Sequence, residues 1–106
     1  MAVDIDSRAA LVGLKALAEP LRWRIVELLA REELCVCHLV EELGVAQPLV
    51  SHHLGVLRRA GLVESERFRL WTYYRLCPQG LETLAGSLVG MAEGASGSSG
   101  ERRPCC

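Results

Sequence analysis

Apolar residues recur at helical spacing through the first sixty residues, then at a partly alternating spacing, then at helical spacing again. From about Ser7 to Ala18, Ala10, Leu11, Leu14 and Leu17 form one stripe, with Ser7 placed to cap the helix. A second helix opens at Pro20 and carries Leu21, Ile25, Leu28 and Leu29 on one face, ending at Glu32-Glu33. A short helix follows from about Cys35 to Leu43, and Gly44 is suited to the left-handed conformation that ends one. Val45-Ala46 turns the chain into a helix over 47–60, with Pro48 in its first turn and Gly61 after its end. The stretches 62–67 and 70–75 are rich in β-branched and aromatic residues, as a hairpin requires. Pro78 begins a last helix with Leu81, Leu84, Leu88 and Met91 on one stripe. From Ala92 to Gly100 only small residues and one Glu remain, and they read as a linker. The expected division is therefore an ordered domain over 1–91 and a Gly/Ser-rich tail over 92–106.

Two short helices joined by a tight turn with a glycine, the second ending in Arg58-Arg59, form a helix-turn-helix pattern. Val50, Leu54 and Leu57 define the buried face of its second helix. At 100° per residue, His52, Gly55 and Arg59 fall opposite, with Ser51 and Arg58 alongside. Gln47 can meet an adenine edge, and histidine or arginine a guanine or a phosphate. Gly55 fits close approach to a DNA backbone or simple tolerance. His53 lies near the apolar stripe and reads as a packed histidine.

Net charge is −1, but it is unevenly spread. Residues 19–42 hold six acids against three arginines, whereas 47–75 hold Arg58, Arg59, Arg67, Arg69 and Arg75 against Glu64 and Glu66. That second segment can be a phosphate-facing surface or an ordinary solvated one. No apolar run approaches the roughly 18 residues of a membrane span, and the acidic start lacks the features of a secretory signal, so a cytoplasmic protein is expected.

The five cysteines are Cys35, Cys37, Cys77, Cys105 and Cys106. An odd number at irregular spacing does not suggest a disulfide framework, and free thiols suit soft metal ions. Cys35 and Cys37 stand at the entrance of the helix-turn-helix. On a regular helix their side chains would diverge by about 200°, so chelation is expected to distort that helix. Enzyme chemistry has little support: no Cys-x-x-Cys in a βαβ setting, no phosphate loop and no acid/base pair are visible.

The run Leu34-Cys35-Val36-Cys37-His38-Leu39, then Gln47-Pro48-Leu49-Val50-Ser51-His52-His53-Leu54, then Leu57-Arg58-Arg59-Ala60-Gly61-Leu62-Val63, resembles the ArsR/SmtB family of metal-sensing repressors. Trp71-Thr72-Tyr73-Tyr74-Arg75-Leu76 is similar to its second wing strand, and the likeness covers about residues 8–90. It implies a mainly α winged helix-turn-helix with a β-hairpin wing, homodimeric through its first and last helices. It also implies a repressor that binds double-stranded operator DNA when metal-free and lets go when an inducer binds. The DNA-facing candidates are then Gln47, Ser51, His52, Arg58, Arg59, Arg67 and Arg69. Two departures matter: Ala46 stands where the family commonly has a Ser or Thr cap, and the wing tip Arg67-Phe68-Arg69-Leu70 lacks the usual glycine.

The arsenic-sensing branch often places a third cysteine three residues after the second, where this chain has Val40. Arsenite and antimonite favour three sulfurs, and the tail can supply the third. The span from Met91 to Cys105, if flexible, reaches roughly 20 Å. The expected ligand set is therefore Cys35 and Cys37 with Cys105 or Cys106, in the same chain or across a dimer, for As(III) or Sb(III). Alternatives are Cd(II) or Pb(II) at the same thiols, a separate site built on the tail cysteines, and thiol oxidation without metal. Zinc fits less well, because the last helix lacks the histidine and paired carboxylates that zinc sensors of the family place there.

Overall fold

The computed structural model describes residues 5–97, 100 and 102–104. Helices α1 (Ile5–Leu17) and α2 (Pro20–Leu29) precede a two-residue strand β1 (Leu34–Cys35), helix α3 (Val36–Leu43) and helix α4 (Gln47–Arg59). Strands β2 (Val63–Phe68) and β3 (Trp71–Leu76) form a hairpin, and α5 (Pro78–Ser96) follows. The sheet order is β1-β3-β2, antiparallel throughout. This is the expected mainly helical fold with a β-hairpin wing.

Its core joins α2, α3, α4 and the base of the sheet through Ile25, Leu39, Val50, Leu54, Leu57 and Leu62, all nearly inaccessible to water. Ile25, Val50, Leu54 and Leu57 are positions the helical period selects, and burying each of the six stabilises the fold by about 1.5–3 kcal/mol before entropy is charged. Gly44 ends α3 at φ 66°, and its N–H bonds the Val40 carbonyl at 2.9 Å. Ala46 caps α4 with no side-chain hydrogen bond. Gly80 lies so close to the α4–β2 turn that a Cβ there would sit 2.2 Å from the Gly61 carbonyl oxygen. Glycine is what lets α5 dock beside the end of α4.

Several expectations are corrected. Helix α1 already includes Ile5, so Ser7 lies within it rather than at its cap. Helix α5 continues past Met91 to Ser96 in place of the expected linker; Ala92, Glu93 and Ala95 are good helix formers, and Gly94 within this stretch is tolerated at a cost of about 1 kcal/mol. Strand β1 was not foreseen. The wing tip turns without glycine because Arg69 takes φ 58°, a left-handed conformation that costs a non-glycine residue roughly 1 kcal/mol.

Half of the α1 stripe is not buried in the single chain. Ala10 is enclosed, but Leu11 and Leu14 are exposed, as are Leu88, Val89 and Met91 of α5 and Trp23 of α2. Leu14, Leu17, Trp23, Val26, Leu81 and Leu88 are among the residues lining an open apolar groove of about 560 Å³ along α1 and α5.

Candidate thiol site and nucleic-acid interface

Sulfur and nitrogen donors meet where β1 turns into α3. Cys35 is the N-cap of α3, in extended backbone at φ −89°, ψ 169°, and its Cα pairs with Tyr73 of the wing strand β3. It is therefore outside the helix, and the 200° divergence expected for two cysteines on one helix does not apply. One ligand atom each from Cys35, Cys37 and His38 already lies within 4.8 Å of the other two. Two donors on one ion at about 2.3 Å each sit roughly 3.8 Å apart in a tetrahedral arrangement, so the cluster needs only a modest contraction.

His38 was not singled out as a ligand from the sequence. Its signal is positional: it is the third helical residue after the Cys35 cap, where a side chain reaches back in a capping box. His38 Nδ1 accepts the Cys35 N–H at 3.2 Å and lies 3.3 Å from Cys35 Sγ, while the Cys35 sulfur faces the His38 backbone N–H. The atoms that cap the first helix of the helix-turn-helix are thus the atoms that can hold an ion.

The two thiols are not equivalent. Burial pushes the Cys35 thiol up, but hydrogen bonds from the Cys37 thiol and from the His38 and Cys37 backbone amides outweigh it and bring it below its ordinary value. Cys37 is exposed and is pushed up, first by its hydrogen bond to Cys35, then by burial of the sulfur and the charge of Cys35. Cys35 is thus the first to become a thiolate, the form that binds metal. Cys77 stands apart at the cap of α5, raised by burial and by the Glu64 carboxylate. Cys105 and Cys106 lie outside the described residues.

A cleft of about 270 Å³ opens over the thiols, lined by Cys35, Val36, Cys37, Gln47, Leu70, Trp71 and Thr72. Gln47 is the first residue of α4, and Leu70, Trp71 and Thr72 belong to the wing. Anything held by the sulfurs therefore borders both elements that a winged helix-turn-helix offers to DNA.

On α4, Gln47, Ser51, His52, Arg58 and Arg59 are all exposed, and Arg67 and Arg69 are exposed at the wing tip. Arg67 Nε donates to the Arg69 carbonyl at 3.4 Å, and the Arg69 guanidinium lies 5.5 Å from the Phe68 ring centre. Arg75 is different. It bonds Glu64 at 2.6 Å, also bonds Glu66, and lies 3.9 Å from Glu33, so the positive segment read from the sequence loses one of its arginines. Gly55 faces outward, where a Cβ would meet the Arg59 guanidinium at 3.2 Å.

Comparison with known proteins agrees with this layout. Residues 19–65 match the family described as "Bacterial regulatory protein, arsR family". The arsenic resistance transcriptional regulator ArsR1 of Pseudomonas putida is 42% identical over 80 residues, 74% of this chain and 62% of that protein. The arsenical resistance operon repressor of Escherichia coli is 45% identical over 65 residues, 60% of this chain and 56% of that one. The chain thus spans less than two thirds of either relative. A solved structure described as a possible transcriptional regulator for arsenical resistance is 38% identical, with a TM-score of 0.69, covering 74% of this chain and 82% of its own.

Proposed function

The chain belongs to the arsR family of bacterial regulatory proteins, and on that premise we propose that it is a transcriptional repressor released from operator DNA by a thiophilic ion at Cys35 and Cys37. The family is one of regulators, not enzymes. The observation that carries the reading is the shared use of Cys35 and His38 as helix cap and as candidate ligands. Without an ion, the cap holds the first turn of α3, and α3 packs on α4 through Leu39. An ion on both sulfurs draws Cys37 toward Cys35 and takes the Cys35 sulfur away from the helix amides. The first turn of α3 and the β1–β3 pairing then shift together, moving the recognition helix and the wing. An ion that prefers the shifted state lowers operator affinity by the same factor by which DNA lowers ion affinity, typically 5–150-fold.

The inducer we favour is trivalent arsenic or antimony, with Cys105 or Cys106 supplying a third sulfur. The names of the arsenic-resistance relatives support this choice. A second reading has its own observation: His38 offers a nitrogen at the cluster, and a mixed sulfur–nitrogen set suits a divalent ion such as Cd(II) better than arsenite. Gln47, Ser51, His52, Arg58 and Arg59 would face the major groove, with Arg67 and Arg69 at the adjacent backbone or minor groove. The open apolar strip on α1 and α5 would close against a second copy of the chain, which also sets the spacing of two half-sites.

The test is anisotropy of a labelled operator duplex at fixed salt, with arsenite, antimonite, Cd(II), Pb(II) and Zn(II) titrated in. Release by arsenite that requires Cys35, Cys37 and the terminal pair supports the three-thiol site. Release by Cd(II) that requires His38 in place of the tail supports the second reading, and release by peroxide alone would replace both with thiol oxidation.

A further inference from the structure

Away from the thiols, one arginine connects three helices. Arg22 of α2 donates from Nε to the Ala16 carbonyl of α1 at 2.6 Å, and its Nη1 lies 3.1 Å from His53 Nδ1 of α4. Its own backbone N–H bonds Glu19 Oε2 at 2.9 Å. His53 is 6% exposed, and it is the one buried polar or charged residue among those described. We propose that His53 is a positioning residue, which with Arg22 sets the recognition helix against the α1–α2 corner only while its imidazole is uncharged. The proposal rests on the reading of α4 as the helix that meets DNA.

A guanidinium can only donate, so the Nδ1 facing it must accept, and the imidazole proton belongs on Nε2. That nitrogen faces Glu19 Oε2 at 3.8 Å. A second proton would put an N–H on Nδ1 against the N–H of Arg22, donor against donor and cation against cation. The contact has to open, and α4 then loses its polar tie to α1 and α2. The charged groups facing His53 are few. Glu19 and Arg22 come from the α2 end, and His52 of α4 has its ring centre 5.3 Å away; among the described residues α1 contributes the Ala16 carbonyl, through Arg22. Burial is the largest influence and opposes the charged form. Glu19 favours it, Arg22 and His52 oppose it, and the result lies below the ordinary histidine value.

Operator affinity should fall as the pH drops below about 6.5 and His53 begins to take up its proton. The His53 contribution is read from a variant that changes this residue alone.

The experiment uses the full, metal-free chain and a duplex selected by it in vitro from a random pool at about pH 7.5, well above the ordinary histidine value. Affinity is followed down to about pH 5.5 at fixed salt. His53→Asn keeps an acceptor for Arg22 and cannot titrate. It should bind within about threefold of the parent at neutral pH and lose the acid decline. Arg22→Met should bind roughly tenfold more weakly at neutral pH, as loss of a charge-assisted hydrogen bond predicts. An acid decline in His53→Asn equal to that of the parent overturns the proposal, as does parental affinity in a folded Arg22→Met. A DNA-free readout covers the case in which Arg22→Met fails to fold or no duplex is selected. The NMR signal of the Arg22 Nε–H should move as His53 titrates and stay still in His53→Asn. A signal in the parent that ignores His53 overturns the proposal, whereas a moving signal without operator binding indicts the repressor reading instead.

Discussion

Two histidines hold helices of the DNA-reading unit in place, and they do so in opposite environments. His38 is exposed, caps α3 through an N–H···N contact at 3.2 Å, and sits beside two thiols. His53 is buried, bonded to Arg22 at 3.1 Å, and faced by Glu19 and His52. The first corner is held by groups that a soft ion can claim. Among the described residues, the second offers no sulfur and is held by a guanidinium and a nearby carboxylate. A protein that must let go of DNA without unfolding gains from this division: α3 and the start of α4 can shift while the Arg22–His53 contact keeps α4 tied to α2.

If the buried corner is the anchor, damage there should cost the most. Leu54→Ala, next to His53 and 1% exposed, should destabilise the fold by about 3 kcal/mol, as truncating a buried leucine does. Urea unfolding measures it, and a loss below about 1 kcal/mol would mean that the corner is not packed as described. The same corner should respond to acid. The folded value of His53 lies below the ordinary one, so the unfolded chain takes up the proton first. Its contribution to stability is therefore complete above about pH 6.5 and diminishes as pH falls toward the lower folded value. His53→Asn should remove that part of the slope.

At the thiol corner the effects should be smaller. His38→Ala removes half of the capping box and should cost about 1 kcal/mol in urea unfolding. It should weaken Cd(II) binding while sparing release by arsenite, if a tail thiol completes the arsenite site. Equal loss of both responses would place His38 in the arsenite site as well. Arg69→Gly relieves the φ of 58° and should stabilise the chain by roughly 1 kcal/mol, yet weaken operator binding and reduce its salt dependence by about one phosphate. The smallest signal is optical. Trp71 lines the cleft over the thiols and Trp23 lies at the α1–α5 groove, so in a Trp23→Phe background the remaining emission should change with inducer. No change would mean that the wing does not feel the site.

Much of this was legible in the sequence, for reasons that can be named. Helices and wing announce themselves through period, and Pro20, Pro48, Gly44 and Gly61 mark their ends. The exposed face of α4 follows from Val50, Leu54 and Leu57 being buried. What was missed depends on contacts rather than pattern. Strand β1 is two residues long, too short to show a period, and exists because Tyr73 and Tyr74 pair with it. That pairing moves Cys35 out of the helix and makes the thiols neighbours. Arg75 counts as positive along the chain but is neutralised by glutamates nine and eleven positions away. The Arg22–His53 bond spans 31 positions and leaves no local trace.

The most direct test of the central claim is operator release by arsenite, measured by anisotropy for the parent chain, a Cys35→Ser/Cys37→Ser variant and a truncation lacking Cys105 and Cys106. The account predicts tight DNA binding by all three without metal and release of the parent alone. Full release of the Cys35→Ser/Cys37→Ser variant by arsenite would contradict it, because the site would then lie away from the cap of α3.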